Sequence, residues 1–185
     1  MENLKDKCGI KGELLISLSD VRSKAAQALE RAIEAARLRL DFKEVRRLLT
    51  ELNSKFLVDQ FSLSNIVPTA GRTALAMRLA GTTTYTSILN YGALGTNNTT
   101  PANTDTTLGT ESYRKALASL TYSANIAYIT QFYTASETSG TFSETGVVID
   151  GTASANTGQL FSRALVSVTK TTSQTLTIDH TFTFS

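Results

Sequence analysis

A chain of 185 residues with 41% apolar side chains is long enough for one ordinary domain with a packed core plus an appendage. A net charge of +2 with 18% charged residues lacks the basic excess of a nucleic-acid binder. A single cysteine, Cys8, excludes an intrachain disulfide and a cysteine-based metal cluster.

The opening MENLKDKCGI has no apolar stretch of the kind a secretory signal requires. No run approaches the roughly eighteen apolar residues of a membrane span. Neither a membrane nor nucleic acid is therefore expected as a partner, and synthesis in a reducing cytoplasm is the simplest expectation. Charge is distributed unevenly: residues 1–56 hold 12 of the 18 Lys and Arg and 9 of the 16 Asp and Glu. The remainder is rich in Thr, Ser, Gly and aromatics, which favour strands, whereas the charged, Ala- and Leu-rich stretch favours helix.

In chain order, IKGELLISLS alternates and predicts a half-buried strand. SDVRSKAAQALERAIEAARLRLDFKEVRRLLTELNSKF follows without glycine or proline, with Ser19 or Asp20 as its N-cap. Leu29, Ile33, Ala36 and Leu40 form one helical stripe, and Phe42, Val45, Leu49, Leu52 and Phe56 form a second, out of phase with the first. Asp41 and Glu44 read as a fresh capping box. The pattern predicts two helices, about 21–39 and 42–55, rather than one rod. LVDQFSLSNIV is a strand candidate, broken by Pro68. TAGRTALAMRLAG predicts a short helix over about 69–80, with Thr69 as cap and Gly81 as stop.

From residue 84 the chain reads as strands over 85–94, 114–122, 125–134, 142–149, 159–169 and 174–184, separated by turn signals such as ETSG, DG and NTG. The fold class is mainly β: an antiparallel β-sandwich or jelly-roll-like domain with an inserted α-helical pair (about 21–55) and a short helix (about 69–80). Residues 1–20 and 57–185 form the body, and 21–56 a helical insertion.

Little in the chain reads as chemistry. His180, the only histidine, shares a strand face with Leu176, Ile178, Phe182 and Phe184, and is read as structural. Cys8 is read as incidental. The acidic residues of the β part are scattered, no Lys follows GALGT as a phosphate loop requires, and TNNTTPANTD fits a calcium loop poorly. No catalytic, cofactor-binding or metal-ligating residue is expected, and no cofactor. GALGTNNTTPANTDTTLG is expected to be an ordered crossing at one end of the sandwich, suited to packing against another chain.

The stretch NYGALGTNNTTPANTDTTLGTESYRKAL resembles a segment common in small tailed-bacteriophage structural proteins. There a strand enters ALGTG, a Thr/Ala/Pro/Asp loop follows, and T-x-L-G-x-E-x-x-R closes it. GQLFSRALVSVTKTTSQTLTIDHTFTF resembles the closing strands of that family, and SGTFSETGVVID, SNIVPTAGRTALAMRLAG and KCGIKGELLISLSD resemble three further segments. Together they span roughly residues 7–20 and 60–185. Two departures are His180, where an aromatic is expected, and residues 21–56, which replace a short hairpin connection.

The resemblance implies a virion component made in the host bacterial cytoplasm, tail- or neck-associated, non-enzymatic, and assembled as a symmetric homo-oligomer on other phage virion proteins. A capsid decoration protein and a receptor- or carbohydrate-binding module are the alternatives. Because insertions often carry function, Leu29, Ile33, Leu40, Phe42, Val45, Leu49, Leu52 and Phe56 are the candidate assembly interface. The bland alternative is that both stripes pack on the protein's own sheet. The Thr-rich strand faces are a second candidate for inter-chain contact, and the six tyrosines would serve sugar stacking if they line an outward groove.

Overall fold

A computed structural model describes residues 9–185; Cys8 and the residues before it lie outside them. The element order is β1 (Ile10–Asp20), α1 (Lys24–Leu38), α2 (Phe42–Phe56), β2 (Leu57–Asn65), α3 (Thr69–Leu79), β3 (Leu89–Gly95), β4 (Glu111–Ala116), β5 (Ser119–Ser123), β6 (Ile126–Tyr133), β7 (Gly140–Ile149), β8 (Gln159–Lys170) and β9 (Gln174–Phe184). Two antiparallel sheets form, one ordered β2-β1-β9-β6-β5 and the other β4-β3-β7-β8. This is the mainly β sandwich with helices that the alternation predicts.

Period-two alternation sends one parity of each strand between the sheets. Leu14, Ile16, Leu18, Tyr133, Leu176 and Ile178 of the five-stranded sheet meet Leu94, Phe142, Ala164, Val166 and Val168 of the other in one buried cluster. A second cluster joins Ile129 and Phe182 to Val147, Ile149 and Phe161, with Ala74 of α3 beside them.

The helical pair connects β1 to β2, which are hydrogen-bonded neighbours, so it sits where a hairpin turn would otherwise be. Ser23, not Ser19 or Asp20, caps α1 through the Ala26 N–H, because β1 continues to Asp20. Asp41 caps α2 by accepting from the Glu44 N–H, one half of the predicted capping box; the Asp41 N–H donates instead to the Ala36 carbonyl and the Glu44 carboxylate pairs with Arg47. Thr69 is the first helical residue of α3 rather than its cap. Gly81 stops that helix with φ +81°, a conformation glycine adopts freely. The predicted strand 114–122 is two strands, because the chain leaves the four-stranded sheet after Ala116 and enters the five-stranded one at Ser119.

Both outer faces of the sandwich are partly covered. Ile33, Ala36, Val45, Leu48, Leu49 and Leu52 of the helices close over Phe132 and Ala118 on the five-stranded side. On the four-stranded side, Leu108 of the β3–β4 loop packs on Ala93, Val148, Leu160 and Tyr91.

Candidate functional site and assembly surfaces

The apolar stripes of the insertion are occupied within the chain. Ile33, Val45 and Leu52 are fully buried and Leu49 nearly so. Leu29 and Phe56 pack against the same cluster, and Phe42 is half-buried. Of the eight candidate interface residues Leu40, 71% exposed, is the most open, beside Leu38 at the tip of the helical hairpin, and Leu29, Phe42 and Phe56 are half-buried. The other four lie in an intrachain cluster that covers Phe132.

Several polar groups on that sheet face are matched to the helices and β2, while the buried hydroxyls of Ser119 and Thr177 have no partner. Ser19 Oγ donates to Asn53 Oδ1 at 2.9 Å, and Gln60 Nε2 donates to Ser17 Oγ at 2.9 Å. Lys115 on β4 bridges Glu34 of α1 at 2.9 Å and Glu137 at 2.8 Å. Burial works against the Glu137 carboxylate, but the Lys115 ammonium and the Thr134 N–H outweigh it and hold its pKa below the ordinary value.

The β3–β4 loop is tied down from the opposite side. Glu144, on the outer parity of β7 and fully buried, accepts from the backbone N–H groups of Asn97, Gly109 and Thr110. Arg163 of β8 donates to Glu144 Oε2 through Nε and to Asp105 Oδ2 through Nη1, both at 2.8 Å. Its Nη2 reaches the Thr99 carbonyl at 3.1 Å. Asp105 also accepts from the Ala102 N–H. The loop therefore folds back over a sheet face rather than crossing at the sandwich end. Gly95 is required by contact, not by a turn: a Cβ there would stand 2.5 Å from Glu144 Oε1.

The 150–158 loop is held by a second buried pair. Glu111 Oε2 accepts from Arg114 Nη2 at 2.7 Å, and Arg114 Nη1 donates to the carbonyls of Thr152 and Thr157. Both side chains are 3% exposed.

His180 lies in the core, as its strand register predicts. Gln131 uses its Oε1 to accept from the Tyr133 hydroxyl, so its amide nitrogen donates to His180 Nε2 at 2.7 Å. That assignment puts the imidazole proton on Nδ1, which is buried without a partner. Burial alone pushes the His180 pKa down to about 3.

A groove of about 550 Å³ runs between α2 and the outer face of the five-stranded sheet. Arg46, Thr50, Asn53, Gln60, Tyr128 and Asp179 are among its lining residues. Arg46 lies 4.9 Å above the Tyr128 ring and donates to Thr121 Oγ1. Burial raises the Asp179 carboxyl, partly offset by the hydrogen bond from Thr130 at 2.6 Å. Tyr128 is the tyrosine that faces this groove; Tyr133 is buried, Tyr85, Tyr91 and Tyr113 are half-buried, and Tyr122 is 84% exposed. Thr177, expected on an outward face, is buried beneath the helices.

Among the described residues no set of three His, Cys, Asp or Glu side chains is gathered as for a metal ion, and no helix is long and apolar enough to cross a membrane. The chain matches no family model, no curated protein and no solved structure.

Proposed function

We propose that this protein is a non-enzymatic structural component of a tailed-bacteriophage virion, tail- or neck-associated, that assembles as a symmetric homo-oligomer on other virion proteins. One observation carries the reading. Five charged residues within the motifs that resemble phage structural proteins (Asp105, Glu111, Arg114, Glu144 and Arg163) are consumed in intrachain ties that fasten two Thr- and Asn-rich loops to a sheet face. A building block needs this, since stiff loops of mostly small side chains lose little entropy when a neighbour covers them. Attachment to a capsid surface uses the same physics and is the variant of this reading.

Mass spectrometry of gradient-purified particles from the producing host tests it. The chain is expected in the particle fraction at a fixed stoichiometry; its confinement to the soluble lysate would refute the proposal.

The groove beneath α2 favours a second reading, a receptor- or carbohydrate-binding module, because Asp179 and Tyr128 face it together with neutral hydrogen-bonding side chains. Binding on a glycan array that disappears in Tyr128→Ala would establish it; a blank array would dismiss it.

A further inference from the structure

A sandwich of two open sheets has four edges, and each exposes backbone groups that can pair with another chain unless the edge is blunted. Two are blunted here, and a third, β8, over its first half. β5 is five residues long and is bridged by Arg46 of α2 to Thr121. β4 is six residues long, and its Arg114 and Lys115 are engaged by the 150–158 loop and by α1. The first half of β8 is covered by α3, where Gly71 approaches so closely that a Cβ would stand 2.8 Å from the Phe161 backbone, and Ile66 pairs with Arg163.

β2 is different. It runs nine residues, LVDQFSLSN, with no proline, lysine or arginine, and Asp59 is its single charge. Among the described residues its only ladder partner is β1, and its C-terminal end is tied to β8 through Asn65 Nδ2, which donates to Ser162 Oγ, and through the Ile66–Arg163 bridge. Leu57 is 43% and Val58 54% exposed. Phe61 and Leu63 point toward the core but are only partly buried, and they line an open groove of about 420 Å³ facing Leu165–Ser167 of β8. The edge thus combines free backbone with unfinished apolar burial over residues 60–64; the bulge at Val58 and the inward-facing Asp59 confine that open stretch to the C-terminal half of the strand.

We propose that β2 is the self-association edge of this protein: the β2 strands of two copies pair antiparallel about a two-fold axis and join their five-stranded sheets into one. This deepens the homo-oligomer reading above and rests on it. The occupant is a second copy because the strand is self-complementary. With the two-fold at Phe61, Gln60 faces Ser62, Asp59 faces Leu63 and Val58 faces Ser64 of the other copy. The one charge never meets itself, and the half-open Phe61 and Leu63 of both copies cover one another.

The test uses the full chain with Cys8→Ser, at about 100 µM by light scattering. Twice the 19.9 kDa chain mass is expected, and Phe61→Lys, a charge aimed inward from the edge, is expected to return it to the single-chain mass. Since Phe61 also touches the core, a second arm leaves it intact. Gln60→Cys and Ser62→Cys proteins, mixed and oxidised, should give at least fivefold more covalent dimer than either alone. A monomeric parent would overturn the proposal, as would a dimer indifferent to a folded Phe61→Lys or a mixture with no excess of cross-link. Any of these results leaves the virion reading standing, because that depends on particle composition.

Discussion

Replacing Arg163 by Met tests whether the buried ion pair fixes the β3–β4 loop. The substitution keeps most of the apolar stem but leaves Glu144 fully buried without its guanidinium, and frees Asp105, whose side chain is 19% exposed. Breaking a buried pair from one side costs about 3–5 kcal/mol. Glu144 retains the N–H groups of Asn97, Gly109 and Thr110 as partners, which puts the cost near the lower figure. The half-open Asp105 contact adds at most about 1 kcal/mol. In a chain of this size a loss of about 3 kcal/mol lowers Tm by roughly 6–12 °C. Glu144→Met should cost more, since it strands three backbone donors and the guanidinium together. Thermal unfolding gives the stability, and hydrogen exchange at Asn97, Gly109 and Thr110 reports the loop. A loss below about 1 kcal/mol with unchanged exchange at those amides would refute the claim that this pair holds the loop.

Three further outcomes follow from the burial pattern. Deleting residues 21–56 behind a short turn is expected to give insoluble or unfolded protein, since Phe132 and Ala118 lose their cover; a soluble deletion with native near-UV dichroism would contradict this. His180, with a folded pKa of about 3 against an ordinary value of about 6.5, binds its proton more readily in the unfolded chain. Its contribution is therefore intact above about pH 6.5 and is lost as pH falls toward 3, at about 1.4 kcal/mol per pH unit. His180→Phe should remove that slope, read as the difference between the two proteins in urea unfolding at pH 7, 5 and 4; parallel pH profiles would refute the assignment. Asp179, whose carboxyl is raised by burial, contributes most in its neutral form and loses that contribution as pH rises through its folded pKa. Asp179→Asn should raise Tm at pH 7, and a lower Tm would show that the carboxylate is used.

The local rules of the sequence account for most of the fold. Strand alternation located β1 and β9 to within a residue or two, and the phase break at Leu40–Phe42 separated α1 from α2. The direction in which the helical stripes face could not be read, because an apolar stripe looks the same whether it meets its own sheet or a neighbour. Thr177 and Ser19 look like solvent positions in the sequence and are buried because the insertion covers them. The Asp105–Arg163–Glu144 tie joins residues 58 and 19 positions apart, beyond any local pattern. Its signal was present as a lone Glu and a lone Arg within otherwise apolar and small strand segments. An unpaired charge in such a place requires a partner.

The most direct test of the central claim is electron microscopy of particles in which the chain carries a C-terminal label. Label is expected at a fixed, symmetry-related position on the tail, neck or capsid surface, with several copies per particle. Intact infectious particles without label at any fixed site, while the labelled chain remains free in the lysate, would contradict it.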